Sequence, residues 1–399
     1  MKVNPSFLIK ILAPMQAVIP KRHTLPICEC IKMDSQGFTG TNLEQSIHIP
    51  YKNLPEVCIN FQEFMETLKT LGNQIVEMQV EKIPVAGEVN SDSEGNLSTC
   101  YTYKITFIAG EMTMTSFGEN NSDFPLIPEF IPEFKTTIPD LTGFVPFAST
   151  NELKPAMNGI FIGKDICSTD AHRLKVEPNQ YHKEGNFDFV IPAKVVPKIL
   201  NATRTIEVNS DCSRAKVHLD FGFFYTRLMC DKFPDYRNVL PEKTNTFVII
   251  NRNGLIKALE ACLKYTNKTV PMVKFMLTDD KLSLFAEDMD YSKEFTTTVP
   301  CEWTGENGFL AGFNAKFLIQ VLKDSKSPEV TLNLSTPRRA AWVDGNFIVM
   351  PLMINETVYE PEVEEPETEE VEETETEVEE TDIPEVKSSK IIIASVQKF

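Results

Sequence analysis

The chain runs to 399 residues, 42% hydrophobic and 24% charged, with a formal net charge of −18. That length suggests two or three domains, the hydrophobic share suffices for packed cores, and the overall sign excludes a simple basic nucleic-acid binder. No apolar run is long enough to span a bilayer and Met1–Pro5 opens no secretory segment, so a soluble cytoplasmic protein with no membrane partner is expected.

The charge is unevenly placed. From Glu356 onward, 15 Glu and 1 Asp face 3 Lys, which leaves 41 acidic and 36 basic residues in 1–355. A nearly balanced body can segregate its charge into a basic inner and an acidic outer surface. The nine cysteines are scattered. Cys28 and Cys30 form a C-x-C beside His23 but lack a second pair at zinc-site spacing, so they read as reduced core residues sharing one face of a strand, with no metal or cofactor.

In chain order, Asn4-Pro5 opens a helix with Phe7, Leu8, Ile11 and Leu12 on one face and Lys10 outside it. Residues 40–49 alternate like a strand. Asn60 caps a helix with Phe64, Met65, Leu68 and Leu71 inward and Lys69 outward. Residues 85–99 are rich in Gly, Asn and Ser and read as a long mobile hairpin loop; 101–108 return to alternation. Residues 125–139 form a first linker, and Asn151 lies in a short helix running to Met157. Pro192 suits the first turn of a helix carrying Val195, Val196 and Ile199, with Lys194 and Lys198 outward; 216–229 are strand-like. After a second linker at 241–245, Asn253 precedes a helix with Leu255, Ile256, Leu259 and Cys262 inward and Lys257 and Lys264 outward. Strand-like runs at 281–285 and 295–299 follow, and Asn314 caps a last helix with Phe317, Leu318 and Val321 inward and Lys316 and Lys323 outward.

The pattern of apolar residues at i, i+1 and i+4 thus recurs three times, Met65 to Val196 and Val196 to Leu318 being 131 and 122 residues apart. That period is domain-sized. Each unit holds about two one-faced helices and many strands, an α+β arrangement with helices packed on antiparallel sheets. Lysines on six exposed helix faces either are simply solvated or make a shared basic surface that holds phosphates without reading sequence.

Two stretches go further: Ser168-Thr169-Asp170-Ala171-His172-Arg173-Leu174, and Phe233 through Pro241 with Pro234, Asp235, Tyr236, Arg237, Asn238, Val239 and Leu240 between. With Arg22–Pro26, Thr39–Glu44, Met157–Gly159, Gly312–Asn314 and Ile348–Leu352, their order and spacing resemble the beta subunit of bacterial DNA polymerase III, the beta sliding clamp family, from Met1 to about Ile354. The resemblance implies three repeated clamp domains at 1–126, 136–242 and 245–355, followed by a disordered acidic tail with an apolar end at 356–399. It implies a head-to-tail homodimer closing a six-domain ring, helices lining the hole. The implied partners are duplex DNA bound without sequence preference, the replicative polymerase, a clamp loader and other proteins carrying clamp-binding motifs.

Carried over residue by residue, the implied partner-peptide pocket is walled by Met157, Thr169, Ala171, His172, Arg173, Leu174, Pro234 and Val239, and from the third unit by Asn314, Phe317, Ile348, Val349, Met350, Pro351 and Leu352, with His172 and Arg173 at the rim. The implied DNA contacts are Lys10, Arg22, Lys69, Asn151, Lys154, Lys198, Lys264 and Lys323, and the implied dimer contacts Met112 and Met114 facing Tyr265. The sequence departs from the family at Ala171, where Gly is usual; Asn238, where Arg is common; Met353–Asn355, replacing an Arg-Leu ending; and Pro155 and Ala156, replacing aromatics.

No catalytic residues are expected. Ser168, Asp170 and His172 are adjacent in sequence, whereas a triad is assembled by folding, and no nucleophile elbow, Walker loop or H-E-x-x-H is present. The competing reading is a non-encircling structural or adaptor protein with the same fold. The end Ser388–Phe399 reads either as a sticky terminus or as a tethered peptide for the chain's own pocket or a partner's, and the acidic run as a device that keeps DNA off the outer face.

Overall fold

The structure, a computed structural model, describes residues 1–91, 97–185, 187–199, 204–240, 246–278 and 280–354, with backbone alone at 85–91 and 97–100. The tail expectations lie outside the described residues.

One plan is used three times. The first copy holds β1 (Lys2–Val3), α1 (Pro5–Leu12), β2 (Cys30–Asp34), β3 (Gly37–Thr41), β4 (Gln45–Pro50), β5 (Val57–Asn60), α2 (Phe61–Leu71), β6 (Val76–Ser91), β7 (Leu97–Ala109) and β8 (Met112–Gly118). The second holds β9 (Phe134–Thr137), β10 (Gly159–Ile162), β11 (Asp165–Thr169), β12 (Arg173–Pro178), β13 (Phe189–Pro192), β14 (Thr205–Val208), β15 (Arg214–Leu219) and β16 (Gly222–Arg227). The third holds β17 (Phe247–Asn251), α3 (Arg252–Cys262), β18 (Met272–Thr278), β19 (Lys281–Asp288), β20 (Lys293–Trp303), β21 (Phe309–Asn314), α4 (Ala315–Asp324), β22 (Glu329–Asn333), β23 (Ala341–Val343) and β24 (Phe347–Val349).

The strands form sheets ordered β1-β6-β7-β8, β5-β2-β3-β4-β16-β15-β14-β9 and β13-β10-β11-β12-β24-β23-β22-β17-β20-β19-β18-β21. Each copy therefore contributes two four-stranded layers, and adjoining copies fuse by antiparallel pairing, β4 with β16 and β12 with β24. The same short bridge closes every copy: Cys58 with Glu119, Val190 with Met229, Gly312 with Leu352.

Asparagine starts the α-helices. Asn4 Oδ1 accepts from the Phe7 N–H, Asn60 from Gln62 and Glu63, and Asn314 from Lys316 and Phe317, each satisfying orphan donors of a first turn. The third copy's first helix is capped by Asn251, which accepts from the Gly254 N–H, so Asn253 sits inside the first turn instead of before it. Phe61, Phe64, Met65, Leu68 and Leu71 of α2 are all buried, a gross gain of about 10 kcal/mol by area transfer. On α1 the apolar face is narrower than expected, because Phe7 is 47% exposed.

The middle copy departs most from the sequence expectation. Its second helix, Ala193–Ile199, is a 3-10 helix with Pro197 inside it; proline has no N–H to donate and its ring opposes a preceding carbonyl. Its first helix is the 3-10 segment Thr142–Phe147, entered through an Asp140 carboxylate that accepts from the Thr142 N–H and hydroxyl. Asn151 lies in a turn, and only Pro155–Met157 form a single 3-10 turn there. The reading of 85–99 as a loop is also corrected: the β6–β7 ladder continues to Ser91 opposite Leu97, with a register shift between Pro84 and Val89. Backbone pairing needs no side-chain alternation, so that composition hides the strands. Residues 40–49 and 216–229 each prove to be two strands joined by a tight turn.

Cys28 and Cys30 are both buried, but Cys28 belongs to the 3-10 turn Pro26–Glu29 and only Cys30 to the strand. Burial, reinforced by Glu119, pushes the Cys30 thiol up to about 12, which leaves it protonated at neutral pH. Among the described residues no helix is long and apolar enough to cross a membrane and no His, Cys, Asp and Glu group is arranged to hold a metal ion.

Candidate functional site

The turn between β11 and β12 is built by side chains. The Thr169 hydroxyl donates to the Arg173 carbonyl at 2.7 Å and accepts from the Ala171 N–H at 3.1 Å. Asp170 Oδ1 accepts from the N–H groups of His172 and Arg173 at 2.9 and 2.7 Å. This Asx-type turn forces Ala171 to φ 75°, a left-handed conformation that costs an L residue about 1 kcal/mol. Ala171→Gly is therefore expected to raise the unfolding free energy, by up to about 1 kcal/mol once glycine's extra unfolded-state entropy is deducted. Equal or lower denaturant midpoints for the variant would contradict that.

From this turn Arg173 points inward, 8% exposed. Its guanidinium donates to Asp170 Oδ2 through Nε at 3.0 Å and through a terminal nitrogen at 2.8 Å, to the Pro146 carbonyl at 3.2 Å, and to Gln320 of α4. It lies 4.5 Å from the Phe317 ring centroid and 5.5 Å from that of Phe147. Two residues on, Lys175 reaches Asp324 of α4 at 2.5 Å between the Phe144 and Phe347 rings. Both cations stitch the second copy to the third, so of the two expected rim groups His172 alone faces out, its ring stacked on Phe317 at 5.8 Å. Phe144, Phe147, Lys175, Gln320 and Asp324 were not foreseen. Only Gln320 carried a sequence signal, one helical turn after Phe317.

Backbone pairing brings the two segments of the expected pocket together: Arg173 lies opposite Val349, Leu174 opposite Ile348, and the Met350 N–H donates to the His172 carbonyl at 2.9 Å. Thr169, Leu174, Ile348 and Val349 are buried and form floor, with Phe233 and Tyr236 beneath in one cluster with Leu174 and Ile348. What remains at the surface is His172, Ala171, Val239, Met350 and, half-buried, Pro234, Phe317, Pro351 and Leu352. Asn314 is committed to capping α4, and half-buried Met157 sits in its own 3-10 turn before β10. Tyr236 and Arg237 both donate to Asp165 Oδ2, at 2.7 and 2.9 Å, while Asn238 turns back to Asp235. Burial, then the hydrogen bond to Asp165, raises the Tyr236 phenol well above its usual range, so it serves as an anchor and not as an acid.

The α-helices together with Ala193–Ile199 carry eight basic residues (Lys10, Lys69, Lys194, Lys198, Arg252, Lys257, Lys316 and Lys323) against four acidic ones (Glu63, Glu66, Glu260 and Asp324). They are thus net positive while residues 1–355 are net negative. Lys10, Lys69, Lys257, Lys264 and Lys316 are exposed, as are Arg22, Asn151 and Lys154. Lys323 pairs with Glu260 at 2.8 Å, Lys194 with Glu44 at 2.6 Å, and Lys198 donates to the Gln45 amide at 2.5 Å. Lys198 is half-buried; burial, then Lys194, lower the pKa of its ammonium.

Two strands at the far ends of the first and third copies present an open edge. β8 ends the four-stranded sheet, with Met112 42% and Phe117 62% exposed and Met114 half-buried. In the third copy, residues 293–299 of β20 pair with β19 on one side only, because β17 takes just 301–303. Tyr265 stacks on Phe295 of that edge at 4.9 Å. No hydrolytic geometry forms at Ser168, whose hydroxyl is buried and donates to the Phe144 carbonyl at 2.6 Å.

Residues 237–347 match the family described as DNA polymerase III beta subunit, C-terminal domain. The beta sliding clamp of Chlamydia muridarum is 22% identical over 374 residues, covering 87% of this chain and 96% of that protein. That of Rickettsia felis is 25% identical over 389 residues, covering 88% and 99%. Among solved structures, the sliding clamp of Pseudomonas aeruginosa superposes with a TM-score of 0.74 at 20% identity, over 89% of this chain and 99% of its own, and the DNA polymerase III beta subunit of Thermotoga maritima with 0.71 at 19%, over 89% and 99%. The fold is thus shared over most of the chain with the bacterial DNA polymerase III beta subunits, the beta sliding clamps; its relatives match over nearly their whole length, and the third copy matches that family's C-terminal domain.

Proposed function

We propose that the chain is a DNA sliding clamp: a homodimeric ring that encircles duplex DNA and tethers the replicative polymerase and other motif-bearing proteins. It has no catalytic role, it is placed on DNA by a separate loader, and it works in the cytoplasm. Its clamp domains are 1–126, 136–242 and 245–355.

The observation that carries this is the repeat of edges. The last strand of one copy pairs with the fourth strand of the preceding copy at β16·β4 and again at β24·β12. The remaining strands of the same two kinds, β8 and the first half of β20, are paired on one side only, with β7 and β19, within the described residues. Two chains placed head to tail would pair both of these edges in each chain, which removes the aggregation liability that they carry when unpaired. Met112, Met114 and Phe117 would then meet the strand carrying Phe295, which Tyr265 backs.

The net-positive helices suit the phosphate backbone, through Lys10, Lys69, Lys198, Lys264 and Lys323 with Arg22, Asn151 and Lys154 from the loops. Charge there, without base-reading geometry, gives affinity that does not depend on sequence. Each such lysine changed to alanine is expected to reduce the salt slope of DNA binding by about 0.9; slopes unchanged across Lys10, Lys69 and Lys264 variants would remove these residues from the interface. The surface of His172, Val239, Phe317, Met350, Pro351 and Leu352 over its buried floor suits a short peptide ending in apolar side chains. The adaptor alternative is not favoured, since it gives no use for two matched open edges. The direct test is primer extension by DNA polymerase III core with a bacterial loader: many-fold longer products on adding the chain support the reading, and unchanged products overturn it.

A further inference from the structure

The turn at Thr41–Gln45 repeats the turn at Thr169–Arg173 bond for bond. The Thr41 hydroxyl donates to the Gln45 carbonyl and accepts from the Leu43 N–H, at 3.0 and 3.1 Å; Asn42 Oδ1 accepts from Glu44 and Gln45, at 3.1 and 2.8 Å. Leu43 sits at φ 73° where Ala171 sits at 75°. The Arg227 N–H donates to the Glu44 carbonyl as that of Met350 does to His172. Even the cross-link to the helix recurs with donor and acceptor exchanged: Lys198 donates to Gln45 where Arg173 donates to Gln320. The junction of the first and second copies thus has the architecture of the proposed docking groove between the second and third, with other side chains on it.

Those side chains define a different chemistry. A small cleft there is lined by Leu43, Glu44, Arg214, Tyr225 and Arg227 and walled by Ile127 and Phe130 of the linker, Phe130 standing edge-on to Tyr225 at 6.0 Å; the Glu44 carboxylate is taken by Lys194 at 2.6 Å. Arg214 and Arg227 lie directly opposite each other on β15 and β16. Like charges so placed repel, and neither guanidinium has an ion pair or hydrogen-bond partner among the described residues. The linker supplies apolar cover but no carboxylate in contact with either cation, and the nearby Glu44, which feels the charge of Arg227, is hydrogen-bonded to Lys194.

We propose that this first junction is a second peptide-docking site, selective for an acidic segment of a partner protein: one apolar side chain enters the cleft between Leu43, Phe130 and Tyr225, and its neighbouring carboxylates bridge Arg214 and Arg227. Charge complementarity names the occupant, since two opposed guanidiniums accept carboxylates as bidentate partners and gain most from a ligand that screens them from each other. The inference rests on the docking reading of the second junction for its geometry. The two sites differ in ligand: the second presents Met350, Leu352 and Phe317 and takes apolar ends, the first presents arginines and takes acids.

The test is fluorescence anisotropy on the full chain with a labelled peptide Ser-Leu-Glu-Glu-Ser, its glutamine counterpart, and an unlabelled peptide ending in Leu-Phe. The expected result is saturable, salt-sensitive binding of the acidic peptide, at least about tenfold weaker for the glutamine form and for Arg214→Glu/Arg227→Glu, and no displacement by the Leu-Phe peptide. Because both arginines are at least partly exposed and unpartnered, the double variant should fold, which its melting curve verifies. No binding, equal binding of the glutamine form, or binding unchanged in the double variant overturns the proposal; so does displacement by the Leu-Phe peptide, which would place the acidic peptide in the second groove. Failure of the Leu-Phe peptide to bind while the acidic one binds as expected would instead count against the docking reading of the second junction alone.

Discussion

Changing Arg173 to alanine is expected to cost about 3–5 kcal/mol, the largest loss from any single side chain at the junction of the second and third copies. The guanidinium is 8% exposed and answers Asp170, Gln320 and the Pro146 carbonyl while lying on the Phe147 and Phe317 rings. Its removal leaves a half-buried carboxylate without its cation, a carbonyl without a donor, and a void between two aromatic rings. Arg173→Lys keeps the charge but loses the fork that serves three acceptors at once, so it should recover only part of the loss. Because the same turn presents His172, Arg173→Ala should also weaken any peptide held against Phe317 and Met350. Urea unfolding and peptide binding measured on one preparation separate the two effects. A loss below about 1 kcal/mol would show that the buried network is not what holds these copies together.

Dimerisation is expected to fail when the open edge of β8 is charged. Met112→Asp with Phe117→Asp places two carboxylates on exposed apolar positions of a strand that otherwise carries only threonine, serine and Met114 toward a partner. At about 2 kcal/mol for each hot-spot change, each of the two interfaces of the ring should weaken on the order of 1000-fold, and the dissociation constant of the dimer should rise by roughly a million-fold. Because both side chains are exposed in the single chain, the monomer's unfolding should barely move. Light scattering that still finds a dimer at micromolar concentration would assign the interface elsewhere.

Much of the fold could be read from the sequence because asparagine caps and one-faced helices are local signals. Asn4, Asn60 and Asn314 bind first-turn amides as their positions suggested. The middle copy resisted because proline sits inside both of its helices, at Pro146 and Pro197, and 3-10 geometry carries no 3.6-residue period to detect. The β6–β7 ribbon resisted because its pairing lies in the backbone. At the proposed docking surface, resemblance named the two segments that β12 and β24 bring side by side, but not that Arg173 would turn inward, since that depends on Gln320, 147 residues away in sequence. The strain at Ala171 was legible from the departure from glycine there, and φ 75° bears it out. The matching turn at Thr41–Gln45 was also legible in principle: Thr-Asn and Thr-Asp open the same hydrogen-bonded loop in two copies.

Encirclement is what is proposed to retain the chain on DNA. The measurement that bears on it most directly is retention on circular plasmid, followed by linearisation with a single-cut nuclease, after loading by a bacterial clamp loader. An encircling ring is expected to be retained stably on circles and lost rapidly through the free ends once the plasmid is cut. Equal retention before and after cutting, or none on either form, would contradict it.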